Sequence, residues 1–316
     1  MKGNAVQEAG DGMQDIQHAV CSEPEFRLDE GEVVERLDAA PQASCQAALA
    51  DPPYGLGIYG EGWDQKVPGR RTWRALARVL EPGAWAIVFG HPRTHHRLMT
   101  AMEDGGLELR DVLLWLFGTG FPKGRTTVRP AWQPMILGRR PGPFRPLNID
   151  GCRTGGVVLA KDRRTSARGR RTFWRTEGAE RRGPRHDPRG RWPANLMLDH
   201  APGCTPEACW PGCPVELLGG EEGIPRFFWC AKAAGEETRN NPHPTKKPVL
   251  LTEELARLLH LEERRRLVVP FCGSGSELVG GVRAGWPEVW GIEGDPGWLP
   301  IAEGRLLDEG AKRWSR

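Results

Sequence analysis

Asp51-Pro52-Pro53-Tyr54 puts a carboxylate, two φ-locked prolines and an aromatic ring into four consecutive residues. The carboxylate can accept hydrogen bonds from an amino group, and the prolines stiffen the turn that carries it. The tyrosine offers a stacking face. Such a set can hold a flat ring bearing an exocyclic amine, as a nucleobase turned out of its helix does. The same four residues also suit an ordinary turn whose tyrosine covers a core edge, so their surroundings decide between the two.

Some two hundred residues later, the apolar run Leu267-Val268-Val269-Pro270 leads into Phe271-Cys272-Gly273-Ser274-Gly275, followed by a helix-like stretch. A strand, a glycine turn and a helix let backbone N–H groups approach a polar ligand closely, because glycine has no Cβ in the way. Beyond it, Val289-Trp290-Gly291-Ile292-Glu293 is a short apolar strand tipped by an acid. From that position a carboxylate can hold the two ribose hydroxyls of an adenosine-containing cofactor. A third cluster, His200, Cys204, Cys209 and Cys213, gathers four soft ligands within fourteen residues. They could close a tetrahedral zinc site; small thiols buried beside an irregular loop are the alternative.

The elements that must position these groups alternate in type. The pattern predicts a strand at 26–28 ending at Asp29, then an amphipathic helix through Val33, Val34 and Leu37. A strand at 46–50 delivers Asp51, a helix at 72–80 is stopped by Pro82-Gly83, and a buried strand follows at 84–89. A helix at 94–103, a strand at 112–117 and a helix at 248–260 ahead of the Val268 strand complete the reading. Alternation of this kind implies an α/β fold with a mostly parallel sheet and a site at the strands' carboxyl ends. Both the tetrapeptide and the glycine loop fall there.

The chain has 316 residues, enough to bury a sizeable core. Residues 1–22 read as a polar, disordered tail without the apolar centre of a signal peptide, and no run is long and apolar enough for a membrane span. Eight scattered cysteines fit a reducing, cytoplasmic setting better than a disulfide scaffold. The formal net charge of +3 hides a strong division. The first forty residues carry three basic and ten acidic side chains, whereas residues 161–192 carry twelve basic and four acidic ones. Phe173, Trp174 and Trp192 stand among those arginines, a composition suited to phosphate contact and base stacking and equally to a solvated loop.

In their order along the chain these segments resemble the amino-methyltransferases that act on DNA, in the permuted branch where DPPY precedes FxGxG. Further matches are His243-Pro244-Thr245-Lys246-Lys247-Pro248, similar to the family's HPTxKP segment, and Gly118-Thr119-Gly120-Phe121-Pro122-Lys123, Arg191-Trp192-Pro193-Ala194-Asn195 and Phe227-Phe228-Trp229-Cys230-Ala231-Lys232, similar to versions in phages and mobile elements. The resemblance spans roughly residues 25–307. It implies a Rossmann-like, mostly parallel seven-stranded sheet, with a catalytic half at 23–137, an Arg-rich target-recognition insert at 138–226 and a cofactor-binding half at 227–316. It implies double-stranded DNA as partner and S-adenosylmethionine as cofactor, in a monomer or homodimer.

By the same resemblance, Asp51 and a carbonyl of the Pro52-Pro53 turn hold the target amine and Tyr54 stacks on the base. Phe271, Gly273, Ser274 and Gly275 line the methyl donor, Glu293 takes its ribose, Thr245 and Lys247 face its carboxylate, and Asp29 lies near its adenine ring. Adenine N6 is the expected target and cytosine N4 the runner-up, because relatives acting on cytosine N4 more often begin the tetrapeptide with serine. Cytosine C5 chemistry is excluded by the absence of any Pro-Cys dipeptide. Two positions depart from the family: Val269 stands where an acid usually precedes Pro-Phe, and Trp132-Gln133-Pro134 where relatives often read His-Glu-Pro. Glu277 could compensate for the first. A catalytically weakened DNA-binding relic is the reading these departures leave open. A nucleotide-dependent oxidoreductase would leave the tetrapeptide unexplained.

Overall fold

A computed structural model describes residues 23–57, 64–117, 128, 130–153, 192–198, 204, 209, 213, 228–229, 241–243, 245–261 and 263–314. The strands are β1 (Glu25–Glu30), β2 (Cys45–Ala50), β3 (Leu80–Phe89), β4 (Glu108–Leu116), β5 (Trp132–Arg139), β6 (Leu196–Leu198), β7 (Phe228–Trp229), β8 (Arg266–Pro270), β9 (Glu288–Glu293) and β10 (Lys312–Arg313). The helices are α1 (Val33–Ala39), α2 (Arg70–Val79), α3 (His95–Asp104), α4 (Val249–Leu259), α5 (Ser276–Arg283) and α6 (Leu299–Asp308). All ten strands form one sheet in the order β10-β1-β9-β8-β2-β3-β5-β4-β6-β7. Every pairing is parallel except the two made by β5. The seven longer strands run side by side from β1 to β4, and three strands of two or three residues extend the edges.

Side chains on a strand alternate between faces, and both faces here are apolar, as a covered parallel sheet requires. Ala47, Leu49, Ile87, Phe89, Leu267 and Val269 pack beneath α4, α5 and α6. Ala48, Ala50, Ala86, Val88, Val268 and Ile292 pack beneath α1, α2 and α3. The result is three layers. Small alanines in β2 let α2 close on the sheet with Trp73, whose side chain is wholly buried and whose indole N–H donates to Pro68 O at 3.2 Å.

Two stretches differ from the sequence reading. Pro82-Gly83 does not separate α2 from a later strand; β3 already starts at Leu80, and the pair lies within an irregular stretch where the register with β2 shifts between Cys45 and Ala47. Gly83 adopts φ +81°, and its N–H donates to Arg140 O, so the two residues bend the strand instead of ending it. The second difference is β5, an inner antiparallel strand that was not foreseen. Pro134 obscured it, since proline argues against a central strand; here it sits near the strand's start, and its carbonyl accepts the Gly90 N–H.

Residues 140–153 hug the main body. Trp85 donates to Arg145 O at 2.7 Å, Asn148 to Arg257 O at 3.1 Å and Arg264 to Pro146 O at 2.5 Å. Residues 154–191, which hold most of the arginine-rich stretch, lie outside the described residues, as does the 1–22 tail. Among the described residues no helix is long and apolar enough to cross a membrane.

Candidate active site

Parallel pairing brings the motifs together. Ala47 and Ala48 of β2 pair with Leu267 and Val268 of β8, so Asp51, after β2, and Phe271, after β8, leave the same edge of the sheet side by side. Because β5 runs the other way, its first residues, Trp132 and Gln133, reach that edge too. There a cavity of about 650 Å³ opens between the tetrapeptide, the glycine loop and the 243–247 segment, a size within the ordinary range for small-molecule sites.

The tetrapeptide is held by side chains on three sides. Tyr54 Oη donates to Asp51 Oδ1, and Lys247 Nζ donates to and pairs with Asp51 Oδ2. Gln133 Nε2 donates to Tyr54 Oη at 2.5 Å. Burial first, then the charge of Asp51, holds the Tyr54 phenol well above its usual range, so it stays a donor. Asp64, 1% exposed, accepts from the backbone N–H groups of Tyr54 at 2.7 Å and Gly55 at 2.9 Å through Oδ1. This fixes the backbone of the loop. The Lys247 ammonium also sits 5.0 Å from the Phe89 ring centroid and 5.4 Å from that of Tyr54.

The glycine loop is shaped by its backbone. Phe271, Gly273 and Gly275 all take left-handed φ, at 62°, 47° and 84°; for Phe271 this is a strained conformation of the kind concentrated at functional sites. A Cβ on Gly273 would stand 2.9 Å from His243 Nε2, and one on Gly275 would stand 2.9 Å from Ala302 Cβ of α6. Gly273 therefore lets the loop meet the cavity wall, while Gly275 lets α5 and α6 approach. Glu293 at the end of β9 accepts the Gly273 N–H at 2.7 Å and the Asp295 N–H at 2.9 Å. Burial raises its pKa, and those backbone donors oppose the rise.

The segment before α4 is stitched to this loop. Asn241 Nδ2 donates to Ser274 Oγ at 2.9 Å, and Lys246 Nζ donates to Asn241 O at 2.7 Å. The His243 ring meets Trp298 edge-on at 4.5 Å between centroids. Burial lowers the His243 pKa to about 4, so the ring is neutral at pH 7. Its Nδ1 accepts the Thr245 N–H at 3.3 Å, leaving the proton on Nε2 beside Gly273.

Phe271, Gly273, Ser274, Glu293, Thr245 and Lys247 therefore share the cavity with the tetrapeptide. Two expected site residues do not line it. Asp29 accepts the Trp290 indole N–H at 3.0 Å and pairs with Arg27 at 2.6 Å, since β1 lies beyond β9. Gly275 faces α6. Lys247, expected to face a ligand carboxylate, is instead bound to Asp51. Gln133, Asp64, His243 and Trp298 complete the walls or their supports without having been foreseen as site residues, and Glu277, considered only as a stand-in for the acid missing at Val269, lines the cavity. His243 and Glu277 carried signals, standing inside or beside a motif, whereas Asp64 carried none.

Cys204, Cys209 and Cys213 also converge, with their Sγ atoms all within 4.8 Å of one another. Leu198 of β6 and buried Cys213 form a small apolar cluster with them. Desolvation, then the neighbouring thiols, pushes the Cys209 thiol up to about 11. A tetrahedral zinc site takes four such ligands, and three are gathered here. His200 lies outside the described residues.

The sequence profile of the N6/N4 DNA methylases matches residues 45–279, which include the tetrapeptide and the glycine loop. No curated protein matches the chain. Among solved structures, TTHA0409 of Thermus thermophilus, a candidate DNA modification methylase, is 16% identical with a TM-score of 0.52, over 92% of this chain and 100% of that one. Its complex with S-adenosyl-L-methionine aligns over the same shares at a TM-score of 0.51. The cytosine-N4-specific PvuII DNA methyltransferase is 15% identical with a TM-score of 0.55, over 90% of this chain and 89% of that one. These likenesses establish the methyltransferase sheet; the profile, spanning most of the chain, establishes that the protein belongs to the N6/N4 DNA methylase family.

Proposed function

We propose that the protein transfers a methyl group from S-adenosylmethionine to the N6 amino group of an adenine flipped out of duplex DNA. The observation that carries this is the single cavity in which Asp51, at the end of β2, faces the glycine loop at the end of β8. The methyl donor brings its own electrophile, a methyl on a positive sulfur, so the protein has chiefly to align a nitrogen and exclude water. Asp51 accepts one amine N–H and a carbonyl of the proline turn accepts the other. Together they favour a more tetrahedral nitrogen with its lone pair aimed across the cavity. Tyr54 stacks on the base, its ring held in plane by Asp51 and Gln133.

On the donor side, Phe271, Gly273 and Ser274 supply the curved wall and Glu293 accepts from the ribose hydroxyls. Lys247 exchanges Asp51 for the donor carboxylate, with Thr245 beside it. The arginine-rich stretch within 138–226 contacts the DNA, between a catalytic half at 23–137 and a cofactor half at 227–316. Cys204, Cys209 and Cys213, with His200, hold a structural zinc that ties this region to the sheet edge beside β6. Metal analysis checks that last point: stoichiometric zinc, lost in a Cys204→Ser, Cys209→Ser variant, is expected, and metal-free wild type refutes it.

Aspartate at the head of the tetrapeptide supports adenine. DNA incubated with methyl-labelled donor, digested to nucleosides and separated, should yield labelled N6-methyladenine. Label on cytosine N4 corrects the target, and no label from DNA that is demonstrably bound overturns the enzyme. Asp51→Ala should lower transfer by roughly 10³-fold, the scale for removing one preorganised polar contact at the reacting group.

A further inference from the structure

Among the described residues, one buried side-chain polar atom of the cavity lining has no hydrogen-bond partner. Glu277, in the first turn of α5, is 4% exposed and lines the cavity, yet its Oε1 has no hydrogen-bond partner among the described residues. Its own backbone N–H supports the carboxylate. Burial, then the like charge of Asp51, pushes its pKa up to about 7, with Lys247 and Arg305 acting against the shift. Lys247 Nζ is bound to Asp51, and Arg305 donates to Ser274 O at 2.8 Å and Ser276 Oγ at 3.2 Å. A carboxylate left charged and buried this way disfavours the ligand-free fold; protonation removes that cost, and a cationic donor entering from the cavity offsets it with the charge kept.

The strand beside it offers no acid for that purpose. Val269 is wholly buried in the apolar cluster with Leu267, Cys272 and Leu278, and it does not line the cavity. We propose that Glu277 binds the α-ammonium group of the methyl donor's amino-acid portion, serving from α5 where β8 supplies only valine. This rests on the S-adenosylmethionine reading above. It adds that the acceptor stands at the start of α5, on the wall of the cavity beside the glycine loop.

The test is equilibrium binding at pH 8 of S-adenosylhomocysteine, which keeps the amino-acid portion, and of its desamino analogue, to wild type and to Glu277→Gln. The substitution should weaken S-adenosylhomocysteine by roughly ten- to hundredfold, the scale of one charged hydrogen bond. The desamino analogue should bind wild type correspondingly weakly and lose nothing further in the variant. Glu277→Gln should also melt higher than wild type at pH 8 without ligand, which a merely structural role for the carboxylate would reverse. Unchanged S-adenosylhomocysteine affinity in folded Glu277→Gln overturns the proposal, as does an equal loss for both ligands. If S-adenosylhomocysteine fails to bind wild type, the methyl-donor reading falls and takes this one with it.

Discussion

The two loops that face each other across the cavity are built in opposite ways. In the 51–54 loop the polar groups are answered from within: Asp51 by Tyr54 and Lys247, the Tyr54 hydroxyl by Gln133, the backbone by Asp64. The 271–277 loop takes its form from three left-handed residues, and its last member holds a carboxylate oxygen with no hydrogen-bond partner among the described residues. One side is organised before any ligand arrives. The other has a fixed curve and is completed by what it binds. This division suits a reaction in which the amine must be aligned to within a fraction of an ångström while the donor is exchanged at every turnover.

Asp64→Ala is the strongest way to break the contrast. It strips charged acceptors from the N–H groups of Tyr54 and Gly55 at a site that is almost wholly buried. We expect a loss of about 2–3 kcal/mol in urea unfolding. Where the variant remains folded, kcat should fall with donor affinity nearly unchanged; an equal fall in donor affinity would mean that the loops are not separately organised. Gly273→Ala acts on the other side, combining φ +47° with a Cβ 2.9 Å from His243 Nε2. Donor binding should weaken by about 1–2 kcal/mol while DNA binding in a gel-shift assay is retained.

The smallest effect concerns pH. His243 titrates near 4 when folded and near 6.5 when unfolded, so between those values the unfolded chain binds more protons. Its contribution to stability is complete above pH 6.5 and declines as pH falls toward 4. The groups acting on it are Asp51 and Asp295, which favour its protonation, and Lys247 and Lys246, which oppose it. Melting temperatures of wild type and His243→Gln should diverge least at pH 5 and most at pH 7.5. A constant difference would remove the titration from the account.

Much of this site could be read in the chain because short-range chemistry writes it there. Proline and glycine mark turns, apolar runs mark buried strands, and an acid at a strand end marks the sheet's carboxyl edge. Asp51, Gly273 and Glu293 were recognisable on those grounds. Gln133 was seen only as a departure from a family pattern, because its strand runs antiparallel and carries Pro134, so nothing local shows that its first residues reach the cavity. Asp64 was invisible for a related reason: its partners are backbone groups nine and ten residues away in an irregular loop, a contact that no periodicity encodes. Asp29 erred the other way, ending a strand as expected but one position too far out in the sheet, where Trp290 and Arg27 engage it.

The sequence by itself determined the alternation of elements, the two loops, the acid-tipped strand and the family resemblance, since each depends on neighbours within a few residues. Tertiary structure alone decided which polar groups meet. Sheet order places β8 beside β2 although more than two hundred residues separate them, and that adjacency couples Lys247 to Asp51 and leaves Glu277 facing the same space. Burial then sets their chemistry: low-dielectric surroundings make an answered carboxylate a fixed support and an unanswered one a binding group, a distinction that residue identity does not contain.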